Sequence, residues 1–268
     1  MKLIVDSGGT KTDWAMTNIA SESAVITTPS AKDAIASTVP ASIISRQGDI
    51  TNVYYYGAGL YDSATCDHAR SQLSHIFTSA KISCHSDLLG GCRATAARQP
   101  GIVCILGTGS NSCTYDGNKI VQNHPALGYI MGDEGSGAAI GKEMIKSYLY
   151  GEWDAESRQK FESVYQVTKA SLLKELNKPS AATYLASFAR HANDHKNVAC
   201  RAIVKAQIEA FISRRVLTYD DYSTYPIHFV GSIAYFYGTL VNEVCEQAGL
   251  SVSSIQHKPI NGLIAYHK

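Results

Sequence analysis

Glycine and polar residues cluster in a turn at residues 6–13, directly after the apolar run at residues 3–5. Glycines let a backbone approach an anion closely, and successive N–H groups in such a turn form an anion-binding concavity. We expect the two glycines to take positive φ in a tight hairpin, and their neighbours to add hydroxyl groups and positive charge. The residues concerned are Gly8, Gly9, Thr10, Lys11 and Thr12. An ordinary Gly-Gly hairpin accounts for the same residues equally well.

Two acidic residues stand at predicted strand ends, where α/β sheets present their ligands. Asp6 ends the first predicted strand and is placed to hold a hydrated Mg²⁺ against bound phosphates. Asp87 follows the strand predicted at 81–85 and starts the next helix. A helix N-cap is the alternative interpretation of Asp87.

A second glycine-rich turn, at residues 107–112, follows the apolar strand predicted at 102–106. Its sequence, Gly-Thr-Gly-Ser-Asn-Ser, again combines glycines with hydroxyl side chains. Each half of the chain therefore opens with a strand, a Gly/Thr/Ser turn and a second strand, which indicates a degenerate internal duplication. Two such turns could contact the two ends of a nucleotide's phosphate chain.

The segment at residues 128–137 holds two acidic residues among four glycines, immediately before a helix predicted at 138–148. Acidic residues at a helix start can cap the helix or interact with its dipole. Capping needs one such residue and no flanking glycines, so we favour a ligand-binding role for the segment that contains Asp133 and Glu134.

Three further patterns are less specific. Gly231 and Ser232 form a strand-to-helix turn that could hold an adenine or ribose, or could simply start a helix. Residues 136–143 resemble a Walker A loop but have Ser for its first Gly and Glu after the Lys, so this interpretation fails. His191 and His195 have the i, i+4 spacing of zinc ligands without a third ligand pattern, and we interpret them as a polar helix end.

The composition argues against several classes of protein. The chain has 268 residues and a formal net charge of +1, which gives no support for a nucleic-acid or membrane partner. No apolar run approaches the roughly 20 residues of a membrane span, and the first residues lack the apolar core of a signal peptide. Seven scattered cysteines without a C-x-x-C pair indicate reduced thiols, so we expect a soluble cytoplasmic protein.

The order of predicted elements favours an α/β fold. Three strands in residues 2–28 are followed by alternating helices and strands up to residue 97, which predicts a mixed sheet. The pattern begins again after residue 100, and residues 135–218 read as mostly helical. A strand at 227–230, a helix to about 247 and a last helix at 261–266 complete the prediction.

Taken together, these positions resemble a sugar kinase of the actin/hexokinase/Hsp70 superfamily, and within it the N-acetylglucosamine kinase branch of the BadF/BadG/BcrA/BcrD ATPase-like family. The resemblance spans nearly the whole chain and rests on the order and spacing of segments 5–12, 86–87, 105–112, 127–136, 230–232 and 259–263. It implies two ribonuclease H-like (actin-like ATPase) domains with a cleft between them, and a homodimer. The domains would comprise residues 1–100 and 101–268, with the last helix (about 260–268) packing back on the first.

The resemblance also implies roles for individual residues. Asp6 would bind Mg²⁺ through water, and Asp87 would contact the sugar hydroxyl as general base. The residues matching ATP-phosphate positions are Gly8, Gly9, Thr10, Lys11 and Thr108. The residues matching amino-sugar positions are Ser110, Asn111, Leu127, Gly128 and Asp133. Gly231 and Tyr235 match the adenosine side of the ATP site.

The sequence thus predicts ATP-dependent phosphorylation of an amino-sugar hydroxyl, with N-acetylglucosamine or glucosamine as acceptor. One departure is that the family often has Gly-x-Asn-Pro after the third strand, with the Asn binding sugar, whereas residues 29–34 here read Pro-Ser-Ala-Lys-Asp-Ala. Two alternatives stay open. One is an ATPase switch like the activators of CoA-ester reductases, although the cysteines are not clustered for an iron–sulfur site, and the other is a sugar sensor without catalysis.

Overall fold

The computed structural model describes residues 1–17, 24–194 and 198–268. The chain divides into two compact units. The first comprises Met1–Pro100, Tyr115–Ile120 and Lys258–Lys268, and the second comprises Gly101–Thr114 and Val121–His257. Residues 18–23, within the stretch predicted to form three strands, lie outside the described residues.

A five-stranded mixed sheet forms the centre of the first unit. Its strands are β1 (Lys2–Ser7), β2 (Lys11–Thr17), β3 (Val25–Pro29), β4 (Asn52–Gly57) and β5 (Lys81–Ser86). They lie in the order β3-β2-β1-β4-β5, in which β4 is parallel to both β1 and β5, and β2 is antiparallel to both β1 and β3. Because β1, β4 and β5 run parallel, their carboxyl ends meet at one edge of this sheet.

A second five-stranded sheet repeats this arrangement. Its strands are β6 (Pro100–Leu106), β7 (Ser110–Asp116), β8 (Ile120–Gln122), β9 (Ile227–Val230) and β10 (Val252–Gln256). The order β10-β9-β6-β7-β8 matches the first sheet when β6 is set against β1 and β9 against β4, in agreement with the predicted duplication. Strand β9 is parallel to both β6 and β10. The apolar strand β6 is central and almost wholly buried, as a continuous apolar run predicts.

Helices supply the remaining layers. In the described residues they are α1 (Ala41–Ile44), α2 (Ser63–Ser74), α3 (Asp87–Thr95), α4 (Gly128–Met131), α5 (Gly137–Leu149), α6 (Ala155–Glu162), α7 (Lys169–Leu176), α8 (Ala181–Asp194), α9 (Val198–Arg215), α10 (Ser232–Phe236), α11 (Gly238–Gln247) and α12 (Ile260–Tyr266), with 3₁₀ turns at Lys32–Thr38, Gln47–Asp49 and Tyr222–Thr224. The two mixed sheets with their helices confirm the predicted α/β fold class. In the described part of the chain, no helix has the length and apolarity that a membrane crossing requires.

The last helix, α12, packs closely on α3 within the first unit. A Cβ atom added at Gly262 would lie 2.2 Å from the carbonyl oxygen of Ala94, so only glycine permits this approach. The buried Ile260 and Leu263 of α12 share a core cluster with Ile4 of β1. The residues after 257 therefore complete the first unit's core.

Two details differ from the sequence prediction. Strand β10 was missed because its sequence, Val-Ser-Ser-Ile-Gln, has only two apolar residues, and pairing with β9 stabilises it instead. The helix expected from residue 232 to about 247 is broken into α10 and α11 at Tyr237. Glycine at position 238 disfavours a continuous helix, and the Tyr237 hydroxyl donates a hydrogen bond to the carbonyl oxygen of Ala189 at 2.6 Å.

Candidate functional site

The turn between β1 and β2 does not need its glycines for backbone conformation. The Gly8 N–H closes the turn by donating to the carbonyl oxygen of Lys11 at 2.9 Å. Neither Gly8 nor Gly9 is among the described residues with positive φ, so that part of the prediction is wrong. A Cβ atom added at Gly8 would meet only the Lys11 oxygen, at an ordinary contact distance of 3.5 Å. The missing side chain therefore leaves open space of the kind an approaching ligand uses.

Hydrogen bonds of three hydroxyl groups stabilise this turn. The Thr12 hydroxyl lies 2.9 Å from the hydroxyls of both Ser7 and Ser30. The Ser30 hydroxyl donates to the carbonyl oxygen of Gly8 at 2.9 Å, and its N–H donates to that of Thr10 at 3.0 Å. Thr12 is buried, so its hydroxyl supports the loop and does not face a phosphate as the sequence suggested. Ser30, in the stretch that lacks the family Asn, thus contributes to the turn between β1 and β2.

Three carboxylates lie together at the carboxyl edge of the first sheet. Asp6 pairs in register with Asp13 on β2. Burial raises the pKa of Asp6 to about 8, and the negative charges of Asp87 and Asp13 add to this while Lys258 opposes it. The excess of negative charge fits a divalent cation, which would favour the ionised carboxylates.

The same carboxylates suit a magnesium ion shared with phosphates. Mg²⁺ is usually held by one or two carboxylates together with water and substrate phosphates. No group of three or more His, Cys, Asp or Glu side chains in the described residues could hold a metal without such help. Asp6 is therefore a suitable residue to hold Mg²⁺ beside a bound nucleotide. His195 of the dismissed His pair lies outside the described residues.

Asp87 is the first residue of α3 and is not its cap. The cap is Ser86, whose hydroxyl accepts a hydrogen bond from the Leu89 N–H at 3.2 Å. The N-cap interpretation of Asp87 is therefore wrong. The Leu88 N–H donates to Asp87 Oδ1 at 2.9 Å and orients the carboxylate at the sheet edge where Asp6 also lies.

The second glycine-rich turn is tied to the start of α5. The N–H groups of Gly137 and Ala138 donate to the carbonyl oxygens of Gly107 (2.8 Å) and Thr108 (3.1 Å). The cap of α5 is Ser136, whose hydroxyl accepts from the Ala139 N–H at 3.1 Å. The preceding acidic residues therefore do not cap this helix.

Asp133 instead faces the second turn. The Ser110 N–H donates to its carboxylate, and a Cβ atom added at Gly109 would lie 3.0 Å from Asp133 Oδ2. Burial raises the pKa of Asp133, against the opposing effects of the Ser110 N–H and the Arg215 charge. Asp133 has a left-handed backbone with φ of 60°, a conformation that non-glycine residues adopt mainly at turns and functional sites.

The residues near Asp133 in the chain include an ion pair and a left-handed glycine. Glu134 Oε1 lies 2.6 Å from Arg214 Nη1, and although burial opposes it, the hydrogen bonds from its own backbone and Arg214 lower the Glu134 pKa. Gly128 has a positive φ of 72° and starts α4, and the preceding Leu127 is largely exposed.

Gly231 and Tyr235 lie at the carboxyl edge of the second sheet. A Cβ atom added at Gly231 would lie 2.3 Å from the Leu106 carbonyl oxygen, so the fold itself requires this glycine. The half-exposed ring of Tyr235 stacks on His257, which follows β10, with ring centroids 4.9 Å apart. A stacked pair of this kind can receive a further aromatic ring on its outer face.

The structure places the predicted residues in two groups. The group in the first unit is Asp6, Gly8, Gly9, Thr10, Lys11 and Asp87, and the group in the second is Thr108, Ser110, Asn111, Leu127, Gly128, Asp133, Gly231 and Tyr235. Sequence reasoning missed Asp13, Ser30, Asn123, Arg215 and Lys258. Strand alternation could have placed Asp13 opposite Asp6, but the others depend on contacts between distant parts of the chain.

The comparisons with known proteins agree with this geometry. No protein-family model matches the chain, and no curated protein matches it. A solved structure from Porphyromonas gingivalis, named a "Putative N-acetylglucosamine Kinase", is 35% identical over 100% of this chain and 98% of its own, with a TM-score of 0.94. The chain belongs to the family of that protein.

More distantly related solved structures share the fold. A "Putative N-acetylglucosamine Kinase" from Chromobacterium violaceum is 20% identical, with a TM-score of 0.71 over 100% of this chain and 98% of its own. A ROK family glucokinase from Streptomyces griseus, in complex with glucose and AMPPNP, is 11% identical, with a TM-score of 0.58 over 98% of this chain and 97% of its own. These likenesses show the two-domain actin-like ATPase fold.

Proposed function

We propose that this protein is an ATP-dependent kinase that phosphorylates a hydroxyl of an amino sugar, with N-acetylglucosamine or glucosamine as acceptor. The observation that carries the proposal is the Gly8 turn, whose glycine the fold does not need and which lies beside the carboxylates of Asp6 and Asp87. Membership in the family of the P. gingivalis protein supports the sugar as acceptor. The AMPPNP of the S. griseus glucokinase supports ATP as donor.

The glycine-rich turns would bind the ATP phosphates. Each follows the central strand of its own sheet, and its glycines carry no side chain that would cover the backbone N–H groups. In the first unit the exposed Lys11 adds a positive charge, and in the second Thr108 adds a hydroxyl group. We assign the adenosine end to Gly231 and Tyr235, where the stacked aromatic pair could receive the base.

Asp6 would hold a hydrated Mg²⁺, which would neutralise charge on the phosphates during transfer. Asp87 would accept the proton of the attacking hydroxyl. The hydrogen bond from the Leu88 N–H holds its carboxylate in one orientation, as a general base requires. Little covalent chemistry is needed beyond this, because phosphoryl transfer is promoted mainly by positioning and charge stabilisation.

The acceptor sugar would contact Ser110, Asn111, Asp133 and the turn at Leu127 and Gly128. Asp133 offers a carboxylate acceptor for sugar hydroxyls, held by the Ser110 N–H. A homodimer in the cytoplasm is part of the same proposal.

The test is ADP release with a panel of hexoses and hexosamines, using wild-type protein and the Asp87→Asn variant. We expect release that depends on an amino sugar in the wild type, and turnover lowered at least about 100-fold in the variant with ATP binding retained. ADP release that ignores the sugar would favour the ATPase-switch alternative. Stabilisation by a sugar without ADP release would favour the sensor, and normal turnover in Asp87→Asn would remove Asp87 from the mechanism.

A further inference from the structure

The geometry points to Arg215 and Asn123 as positioning residues that fix the side-chain amide of Asn111, so that its Nδ2 group serves as a donor to the acceptor substrate. The inference rests on the proposed function and adds an explanation of why the side-chain amide of Asn111 has one orientation. All three residues lie in the second unit.

The orientation of the Asn111 amide follows from what surrounds Oδ1. This atom accepts from the Ser112 N–H at 2.9 Å and from Arg215 Nη2 at 3.0 Å. A backbone N–H and a guanidinium group can only donate, so the atom that faces them must be the amide oxygen. The nitrogen is then placed on the other branch of the amide.

Asn123 adds a third donor whose identity is fixed in the same way. Its Nδ2 group lies 2.9 Å from Asn111 Oδ1 and 2.6 Å from the carbonyl oxygen of Ser112. A carbonyl oxygen can only accept, so the atom of Asn123 that faces it must be the nitrogen. With three donors on Oδ1, a flip of the Asn111 amide would set its NH₂ group against all three.

Arg215 is itself held on several sides at the end of α9. Its Nη1 group donates to the carbonyl oxygen of Pro125 at 2.7 Å, and its Nη2 group also donates to that of His124 at 2.8 Å. Its own carbonyl oxygen accepts from the Ser112 hydroxyl at 2.7 Å. The rigid planar fork is therefore fixed before any ligand binds, which is a requirement for a group that positions another.

The chemistry limits what Asn111 can recognise. A substrate atom that meets its Nδ2 group must be an acceptor, such as a hydroxyl, ring or carbonyl oxygen, and not an ammonium group. The Asp133 carboxylate, which faces the same turn and accepts from the Ser110 N–H, supplies the complementary acceptor. The pair thus suits a polyhydroxylated substrate, whose hydroxyl groups both donate and accept.

The test measures KM for the sugar, KM for ATP and kcat in a double-mutant cycle of Arg215→Met and Asn111→Ala. We expect Arg215→Met to raise the sugar KM roughly tenfold, with the ATP KM changed less than about twofold, because one oriented hydrogen bond is lost. In the Asn111→Ala background the same substitution should add less than about a twofold change, because its effect passes through Asn111.

Two further variants separate positioning from folding. Asn111→Asp keeps an oxygen for all three donors but replaces the Nδ2 donor by a second carboxylate oxygen, so the sugar KM should rise about tenfold or more with the melting temperature kept. The exposed Asn123→Ala should raise the sugar KM about threefold without unfolding. Arg201→Met is the matched control, because Arg201 is on the same helix and forms a surface ion pair with Glu243.

Additive losses in the cycle, or an unchanged sugar KM in Asn111→Asp, would overturn the inference while leaving the kinase proposal intact. A wild-type protein that phosphorylates no sugar would instead end the proposed function and this inference together.

Discussion

Lys258 Nζ lies 2.9 Å from Oδ2 of Asp13, a residue 245 positions earlier in the chain. The carboxylate is buried and also accepts a hydrogen bond from the Thr27 hydroxyl, whereas the lysine side chain is 41% exposed. This ion pair places one positive charge beside the carboxylates of Asp6 and Asp13 in the first unit.

Replacing Lys258 by Met should therefore lower stability. The buried Asp13 carboxylate would lose its ion-pair partner, and because the lysine is partly exposed we expect a loss of about 1–3 kcal/mol in the free energy of unfolding. Chemical denaturation at neutral pH measures it. Lys160→Met removes a surface pair with Glu156 and is the control, with an expected change below about 0.5 kcal/mol. Equal losses in the two variants would contradict the argument.

The open space at Gly8 predicts a variant that separates binding from folding. Gly8→Ala should leave the free energy of unfolding within about 0.5 kcal/mol of wild type, because φ is not positive and the added methyl group meets no clash. Its affinity for ATP should fall about tenfold or more, because the methyl group occupies the space of the phosphates.

Nucleotide titration and denaturation measure the two effects on one preparation. Gly231→Ala is the opposite control, since its Cβ would collide with the Leu106 carbonyl oxygen and should prevent stable folding. Unchanged ATP affinity in Gly8→Ala would count against the phosphate role of this turn.

Tyr235 should contribute to nucleotide affinity. If the base stacks on its ring, Tyr235→Ala should raise the KM for ATP about fivefold or more and leave the sugar KM unchanged, given about 1–3 kcal/mol per stacked base. Tyr150→Ala is the control. Tyr150 belongs to the same unit, follows the end of α5 and is 75% exposed. Equal effects on the two substrates would argue that Tyr235 is structural.

Two histidines of the first unit make stability depend on pH. Burial, together with the positive charge of Arg93, lowers the pKa of both His85 and His267 to about 4. Protonation of His267 is disfavoured in the folded state. There its ring stacks on Tyr54, and its Nε2 atom is hydrogen-bonded to the Tyr56 hydroxyl at 2.7 Å. An unfolded histidine titrates near pH 6.5, so below that pH the unfolded chain binds more protons than the folded one.

The contribution of these two histidines to the free energy of unfolding should therefore fall as the pH decreases from about 6.5 to about 4, and be fully retained above 6.5. His267→Gln removes one of the two groups, so its loss between pH 7.5 and 5 should be smaller than that of wild type by about 1 kcal/mol. Urea denaturation at several pH values measures this. Parallel curves for the two proteins would mean that His267 is protonated in the folded state.

The sequence predicted most of the elements because their signals are local. Strands with continuous apolar runs, such as β6, and glycine turns that follow them are visible in a short window. The Asn111–Arg215 contact joins residues 104 positions apart, and the Asp13–Lys258 pair joins residues still further apart. Nothing in their spacing indicates contact, since the topology alone brings them together. The cap of α3 was open to two interpretations because Ser86 and Asp87 stand side by side, and either residue type can cap a helix.

The close approach of Gly262 to Ala94 has a consequence for biosynthesis. The first unit begins with residue 1 but takes part of its core from Ile260 and Leu263, so it cannot reach its final packing until those residues have left the ribosome. During translation the nascent first sheet would expose the apolar surface around Ile4, and a chaperone bound there would have to dissociate before α12 could dock.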